Sequence, residues 1–140
     1  MVAALNERSS PFNLVVTGEA ELYSGALAKI VGPQWIKTYD VGSDRELFAV
    51  VESGKADAAV LDDSADWAVD VLALLRMIRR LDSMLPVVVV TAHRDRLYLE
   101  NALRLAAFSV VVRPLQLEQL LRQVHRIMTR LDAALRNRRM

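Results

Sequence analysis

The sequence predicts one α/β domain built on a doubly wound parallel sheet with helices on both faces. Five short apolar runs alternate with five stretches of helical spacing, the order expected of repeated β-α units. Three of the runs are continuous and β-branched, which is typical of parallel strands covered by helices on both sides. The chain of 140 residues has the length of about one domain.

The five predicted strands are identified by their β-branched content and by the turn residues that bound them. Each is five or six residues long, a usual length for a strand. In chain order they read NLVVT, IKTYD, DAAVLD, VVVVT and SVVVR, at residues 13–17, 36–40, 57–62, 87–91 and 109–113.

The five predicted helices carry apolar residues at steps of three and four. Ser43 is a favourable N-cap for the second helix, and Gly54 is a favourable stop after it. The fourth helix places its apolar residues largely on one side, at Leu97, Leu99, Ala102, Leu103 and Ala106. The five helices are predicted over 19–30, 44–52, 67–81, 94–106 and 115–137.

Composition excludes several classes of function. The chain has no cysteine, so neither a disulfide nor a thiolate metal site is possible. The first residues, MVAALNERSSPFN, lack the apolar core of a signal peptide, and no apolar run approaches the ~20 residues that span a bilayer. These features predict a cytoplasmic protein with no membrane segment.

The C-terminal region is long, basic and amphipathic. Residues 115–140 hold six arginines against two acids, which indicates either an anionic partner or, as we favour, the solvated face of a helix. Without a recognisable winged-helix or helix-turn-helix segment, nucleic-acid binding is not expected. Apolar residues form a 4-3-4-3-4 seam typical of helix pairing, at Leu117, Leu121, Val124, Met128, Leu131 and Leu135.

The sequence is predicted to contain three regions: an N-terminal tail, one domain and an extension of the last helix. Residues 1–12 form a tail, 13–128 the domain and 129–140 a basic extension of the last helix. Because the extension passes the expected edge of the domain, Leu131 and Leu135 are predicted to pair with a second copy in a homodimer. Two alternatives remain open: the extension leads to an output domain, or it frays.

The topology alone predicts a site at one edge of the sheet. In open parallel sheets, ligands bind at the carboxyl ends of the strands. Strand 1 ends at Thr17-Gly18-Glu19, strand 3 at Asp62-Asp63, strand 4 at Thr91 and strand 5 at Arg113. Carboxylates, a hydroxyl and a guanidinium at one edge indicate an anion or phosphoryl site.

Four segments in the right order resemble the response-regulator receiver family, which is CheY-like, over residues 13 to about 128. The strand 1 segment LVVTGEAEL resembles the family's opening strand and turn. ADAAVLD resembles the strand that ends in the phospho-accepting aspartate, LPVVVVTAH the fourth strand with its hydroxyl, and VVVRP the fifth strand, which normally ends in Lys-Pro.

The resemblance implies a flavodoxin-like sheet in the order 2-1-3-4-5, with an extended C-terminal helix. It makes Asp62 the position that accepts a phosphoryl group from a histidine kinase, and Thr91 the hydroxyl that binds it. In the family, the strand 3 aspartate and two acids after strand 1 hold Mg²⁺, and a lysine binds the phosphoryl group. The resemblance also suggests a cis peptide between Arg113 and Pro114.

The sequence departs from this pattern at several positions. Thr17 and Gly18 stand where the two metal-binding acids belong, so we expect no metal unless Glu19 or Asp63 rescues the site. Arg113 replaces the lysine, and it either pairs with Asp62 or extends into water. At the position of the family's switching aromatic stands Val110, and the usual turn after Asp62 is replaced by DSADW.

These departures predict a degenerate receiver that acts mainly by protein–protein interaction, with phosphorylation at Asp62 impaired or absent and no enzymatic activity. Its partners are expected to be a histidine kinase or a downstream signalling protein. One alternative is a working phospho-acceptor at Asp62, and another is the receiver domain of a larger regulator. A flavodoxin-like cofactor enzyme is disfavoured because Thr17-Gly18-Glu19 offers no loop to cradle a phosphate.

Overall fold

A computed structural model describes the backbone of residues 11–139 and the side chains of residues 11–131. Five parallel strands form one sheet in the order β2-β1-β3-β4-β5, so the predicted doubly wound architecture is confirmed. The strands are β1 Phe12–Val16, β2 Ile36–Asp40, β3 Ala58–Asp62, β4 Val87–Thr91 and β5 Ser109–Val112. The Arg113–Pro114 peptide is cis.

Five α-helices connect and cover the strands. A 3₁₀ helix, Gly18–Tyr23, follows β1 and runs directly into the first of them. No described helix has both the length and the hydropathy that crossing a membrane requires. The helices are α1 Ser24–Val31, α2 Asp44–Glu52, α3 Val71–Leu81, α4 Arg96–Arg104 and α5 Leu117–Arg139.

The core consists of two layers, one on each face of the sheet. All five residues of β3 and of β4 are buried, which explains why these central strands read as continuous apolar runs. Helices α1 and α5 cover one face, and α2, α3 and α4 cover the other. Each fully buried leucine in these layers contributes roughly 1.5–3 kcal/mol relative to exposure.

Capping side chains place two helices later in the chain than their apolar pattern predicted. Asp70 accepts a hydrogen bond from the backbone N–H of Leu72, so α3 begins at Val71 rather than at residue 67. Asp95 accepts one from Tyr98, so α4 begins at Arg96 rather than at 94. The first predicted helix is also divided, because a 3₁₀ turn precedes α1.

The predicted apolar side of α4 is largely not a buried face. Ala102 is fully buried, but Leu97 is 65% exposed and Leu103 is 57% exposed. The helix has only nine residues, and Ala102 is its buried side chain. The side of α4 that the pattern makes apolar is therefore largely exposed at both leucines.

Helix α5 buries a stripe that only partly coincides with the predicted seam. Leu120, Val124, Ile127 and Met128 are buried, whereas Leu117 and Leu121 are only partly buried. Leu131 packs against the same core, so part of the surface assigned to a second copy is covered within the chain. The predicted interface residue Leu135 lies outside the described side chains, as do residues 1–10 of the tail.

Candidate functional site

The carboxyl ends of four strands place the predicted residues side by side. Thr17 follows β1, Asp62 ends β3 and Thr91 ends β4, and Arg113 follows β5. Glu19 lies in the 3₁₀ helix after β1, and Asp63 lies in the turn after β3. We refer to Glu19, Asp62, Asp63 and Arg113 together as the acid–arginine cluster.

Asp62 is the most deeply buried member of this cluster. Its side chain has no exposed surface. One oxygen, Oδ1, accepts a hydrogen bond of 2.9 Å from the backbone N–H of Ser64, whereas Oδ2 is buried without a partner among the described residues. Burial raises the pKa of Asp62 above its ordinary value and outweighs the Ser64 hydrogen bonds and the charge of Arg113, which lower it. The ionised carboxylate is thus incompletely stabilised.

This burial predicts that Asp62→Asn stabilises the protein at neutral pH. A carboxyl with a raised pKa favours folding in its protonated form, and that contribution is lost as pH rises through the folded-state pKa. The amide keeps the Ser64 contact without the charge, so we expect a gain of about 1 kcal/mol at pH 7, the scale of one poorly satisfied buried group. Urea unfolding from pH 3 to 7 should show the gain shrinking toward acid. A gain that is unchanged across this range would contradict the explanation.

Arg113 is directed at the carboxylates rather than into water. Its Nη2 lies 2.5 Å from Glu19 Oε1, and its Nη1 lies 3.4 Å from Asp63 Oδ1. Its Nε lies 3.9 Å from Asp62 Oδ1, beyond hydrogen-bond distance. The guanidinium thus does not extend into water, and its shortest contacts are with Glu19 and Asp63 rather than with Asp62, the predicted partner.

The Thr17 hydroxyl is part of the sheet. Thr17 is 1% exposed. Its Oγ1 donates to the carbonyl of Val60 and accepts from the backbone N–H of Asp62, both at 2.9 Å. The side chain thus extends the pairing of β1 with β3 by one step, and its oxygen both donates and accepts in doing so.

The position of Gly18 is closed by Ser64. Gly18 has φ +59, and a Cβ there would lie 2.5 Å from Ser64 Oγ and 3.0 Å from Asp62 Cβ. That hydroxyl oxygen also accepts a hydrogen bond of 2.8 Å from the backbone N–H of Glu19, which ties the β1 loop to the β3 loop. Ser64 was not predicted as part of the site, and only its place two residues after Asp62 would have suggested it.

The side chains at this edge do not provide the oxygen ligands that Mg²⁺ prefers. The ion requires several hard oxygen ligands in nearly octahedral geometry. Here the hydroxyl of Thr17 is committed to backbone groups and Gly18 has no side chain, while Glu19 and Asp63, the acids considered as substitutes, both contact Arg113. Among the described residues, no three His, Asp or Glu side chains are grouped so as to share a metal ion.

Thr91 and the residue after it contact Asp63. The Thr91 hydroxyl donates to Asp63 Oδ2 at 2.7 Å, and the backbone N–H of Ala92 donates to the same oxygen at 2.8 Å. The Thr91 oxygen in turn accepts from the backbone N–H of His93 at 3.0 Å. Sequence reasoning named Thr91 and Asp63 separately but did not predict this contact or the role of Ala92.

An aromatic ring lies near this edge, although not at the position predicted from the resemblance. Val110 is partly buried in β5. Tyr98 instead extends from the first turn of α4 and stacks on His93 with ring centroids 4.1 Å apart. Its hydroxyl is buried, and this burial raises the pKa of Tyr98, against a smaller lowering by the Thr91 side chain. In the sequence, Tyr98 could have been found from Asp95, because this N-cap fixes where α4 begins and so places Tyr98 in the first turn of the helix.

A 2-1-3-4-5 sheet with an acid, a hydroxyl and a cation at the ends of its last three strands defines a signalling receiver. The family model described as the response regulator receiver domain matches residues 15–125. The chain therefore belongs to the response regulator receiver family of two-component signalling. No curated protein is significantly similar to it in sequence.

Solved structures of receivers share this fold. A CheY-like receiver domain protein from Methanospirillum hungatei JF-1 superimposes with a TM-score of 0.74 at 14% identity, over 89% of this chain and 99% of that one. A two-component response regulator from Clostridium difficile gives a TM-score of 0.71 at 21% identity, over 86% and 98% of the two chains. The receiver domain of a LuxO-type repressor protein from Vibrio parahaemolyticus gives 0.74 at 16%, over 89% and 95%.

Proposed function

We propose that this chain is a receiver module that signals through protein–protein contacts and does not depend on Mg²⁺-assisted phosphorylation of Asp62. Its partners would be a histidine kinase or a downstream signalling protein, and it would have no enzymatic activity of its own. The observation that carries the proposal is the acid–arginine cluster, in which the cation at the end of β5 already contacts Glu19 and Asp63.

Phosphoryl transfer explains why this arrangement matters. A carboxylate accepts a phosphoryl group only when nearby cations offset the charge that gathers at the site. At this edge the two positions after β1 supply no carboxylate, and the guanidinium of Arg113 is shared with two acids. The Oδ2 of Asp62 is also buried, so an incoming phosphodonor would first have to open the site.

Exposed apolar side chains support a role in protein contacts. Leu97 and Leu103 on α4 are more than half exposed, and Met84 after α3 is 84% exposed. A contiguous apolar patch on a surface is typical of a site where another protein binds, and these side chains are available to contribute to one. A homodimer through the end of α5 stays a prediction, since Leu131 contacts its own domain and Leu135 lies outside the described side chains.

The competing function is a working phospho-acceptor. In its favour, Asp62 and Thr91 occupy the ends of β3 and β4, where the family has its acceptor and hydroxyl. The same fold would also serve as the receiver domain of a larger regulator that controls an output domain. The phospho-acceptor function requires that Asp62 be modified, and this makes it testable.

Treatment with acetyl phosphate and Mg²⁺ is expected to leave the protein unmodified. Intact-mass spectrometry should show no gain of a phosphoryl group. Trp67 lines the same cavity of about 140 Å³ as Asp62 and Asp63, so its fluorescence would report a phosphoryl group there. We expect this fluorescence to stay unchanged. The Trp35→Phe variant makes Trp67 the sole tryptophan reporter.

Two controls make this result interpretable. A receiver with both acids after its first strand should be phosphorylated in the same reaction mixture. The Asp62→Asn variant identifies any modification at another residue. A Mg²⁺-dependent gain of one phosphoryl group that is absent from Asp62→Asn would overturn the proposed function.

A further inference from the structure

Three hydrogen-bond donors, two from the end of β4 and one from the residue after β5, converge on the carboxylate of Asp63. The hydroxyl of Thr91 and the backbone N–H of Ala92 donate to Oδ2 at 2.7 and 2.8 Å. The guanidinium of Arg113 reaches Oδ1 at 3.4 Å. A hydroxyl, an amide and a cation around one anion form an oxyanion-binding cradle.

The occupant of this cradle is supplied by the chain itself. Asp63 directly follows β3, and its backbone N–H donates to the carbonyl of Val90 on β4 at 3.0 Å. This bond fixes the start of the loop beside the donors, so the side chain reaches them without the entropy cost of capturing a free anion. A tethered carboxylate therefore competes at high effective concentration with any dissolved oxyanion.

The cradle also fixes the loop that leads into α4. Besides donating to Asp63, the Thr91 oxygen accepts from the backbone N–H of His93. The carbonyl of Thr91 accepts from the backbone N–H of Arg113 at 2.8 Å. The side chain of Arg94 donates to the Arg113 carbonyl at 3.3 Å. Residues 91–94 are thus joined by hydrogen bonds to Thr91 and Arg113, the two side chains that form the cradle.

We propose that Asp63 is the resident anion of the cradle formed by Thr91, Ala92 and Arg113, and that it holds the β4–α4 loop in an anion-bound conformation without phosphorylation. The proposal rests on the proposed function, because it takes Asp62 to carry no phosphoryl group. It deepens that function by naming the group that sets the conformation at α4, where the exposed Leu97 and Leu103 lie. Asp63 acts here as a positioning residue.

Chemical rescue tests this assignment. Asp63→Ala removes a carboxylate and leaves a space of matching chemistry, so sodium formate is the probe. In ¹⁵N spectra of the full chain, the Ala92 amide resonance should shift in the variant and return toward its wild-type position as formate is added. Wild-type protein should be at least roughly tenfold less responsive at the same formate concentration.

The controls separate the cradle from general effects. Sodium chloride at equal ionic strength should not restore the resonance. Asp66→Ala removes an exposed acid of the same loop and should leave Ala92 unshifted, with or without formate. If Asp63→Ala does not fold, Asp63→Asn replaces it, and faster hydrogen exchange of the Ala92 amide is then the expected result.

The outcomes are distinct for the two proposals. An Ala92 resonance that ignores both the loss of Asp63 and the addition of formate overturns the assignment of Asp63, as does unchanged hydrogen exchange in Asp63→Asn. Neither result bears on whether Asp62 accepts a phosphoryl group. Conversely, phosphorylation of wild-type Asp62 defeats the proposed function whatever formate does.

Discussion

Replacing Arg113 with alanine is expected to lower the free energy of unfolding by about 2–4 kcal/mol at pH 7, because it leaves three carboxylates facing each other without a cation. The Arg113 side chain is only 25% exposed, and that of Asp62 is fully buried, so water replaces the lost cation poorly. Urea unfolding of the wild type and the variant measures the effect.

The loss should depend on pH in a defined direction. The charge of Arg113 lowers the pKa of Asp62, so its removal raises that pKa further. Protonation then favours the folded variant as pH falls, and the deficit should shrink between neutral pH and about pH 4. Adding Asp62→Asn to Arg113→Ala should recover part of the loss at pH 7 for the same reason.

An exposed arginine provides the matched control. Arg96 pairs with Glu100, but its side chain is 92% exposed. Exposed ion pairs contribute little, so Arg96→Ala should cost less than about 1 kcal/mol at any pH. If Arg113→Ala loses equal stability at pH 4 and pH 7, its effect comes from packing and not from charge.

The centre of the sheet could be predicted well because β3 and β4 are short, apolar and buried on both faces. The bounds of β2 and β4 were predicted correctly, and those of the other three strands within one residue. Burial on both faces leaves a continuous run such as VVVVT that no amphipathic helix would show. Residues 36–40 are less apolar, and their bounds came from the turns around them.

Helix faces were harder to predict because spacing alone does not say where the neighbouring layer lies. On α5 the pattern at Leu117 and Leu121 and the one at Leu120 and Ile127 are both compatible with helical spacing. Only the position of the sheet decides between them. On α4 the leucines dominate the apolar pattern of the sequence. Ala102 is nevertheless the fully buried residue, while Leu97 and Leu103 are exposed.

For the site, the sequence predicted which residues meet but not which atoms bond. The ends of parallel strands must share an edge, so the convergence of Asp62, Thr91 and Arg113 follows from topology. Whether Arg113 reaches Asp62 or Asp63 depends on loop conformation and rotamers, which the sequence pattern does not encode. The same holds for Ser64, whose hydroxyl lies against Gly18 only because of the turn after β3.

The second large effect is expected for Thr17→Val, a substitution that keeps the shape of the side chain and removes its hydroxyl. The Val60 carbonyl then loses a donor and the Asp62 N–H loses an acceptor, at a position that is 1% exposed. Each unsatisfied buried backbone group costs about 1–3 kcal/mol, so a combined loss of about 2–4 kcal/mol is expected. Urea unfolding measures it, and faster hydrogen exchange of the Asp62 amide would locate it.

Thr38→Val is the matched control for this substitution. Thr38 is partly buried on β2, and its hydroxyl makes no hydrogen bond in the described structure, so the change should stay within about 0.5 kcal/mol. A similarly small effect of Thr17→Val would mean that water or a backbone shift replaces both bonds. The Thr17 oxygen would then be free for another role, and a main reason for excluding a metal at this edge would disappear. A large effect would show that the Thr17 hydroxyl is needed to join β1 to β3. Its oxygen would then be held by backbone groups rather than offered to a metal ion.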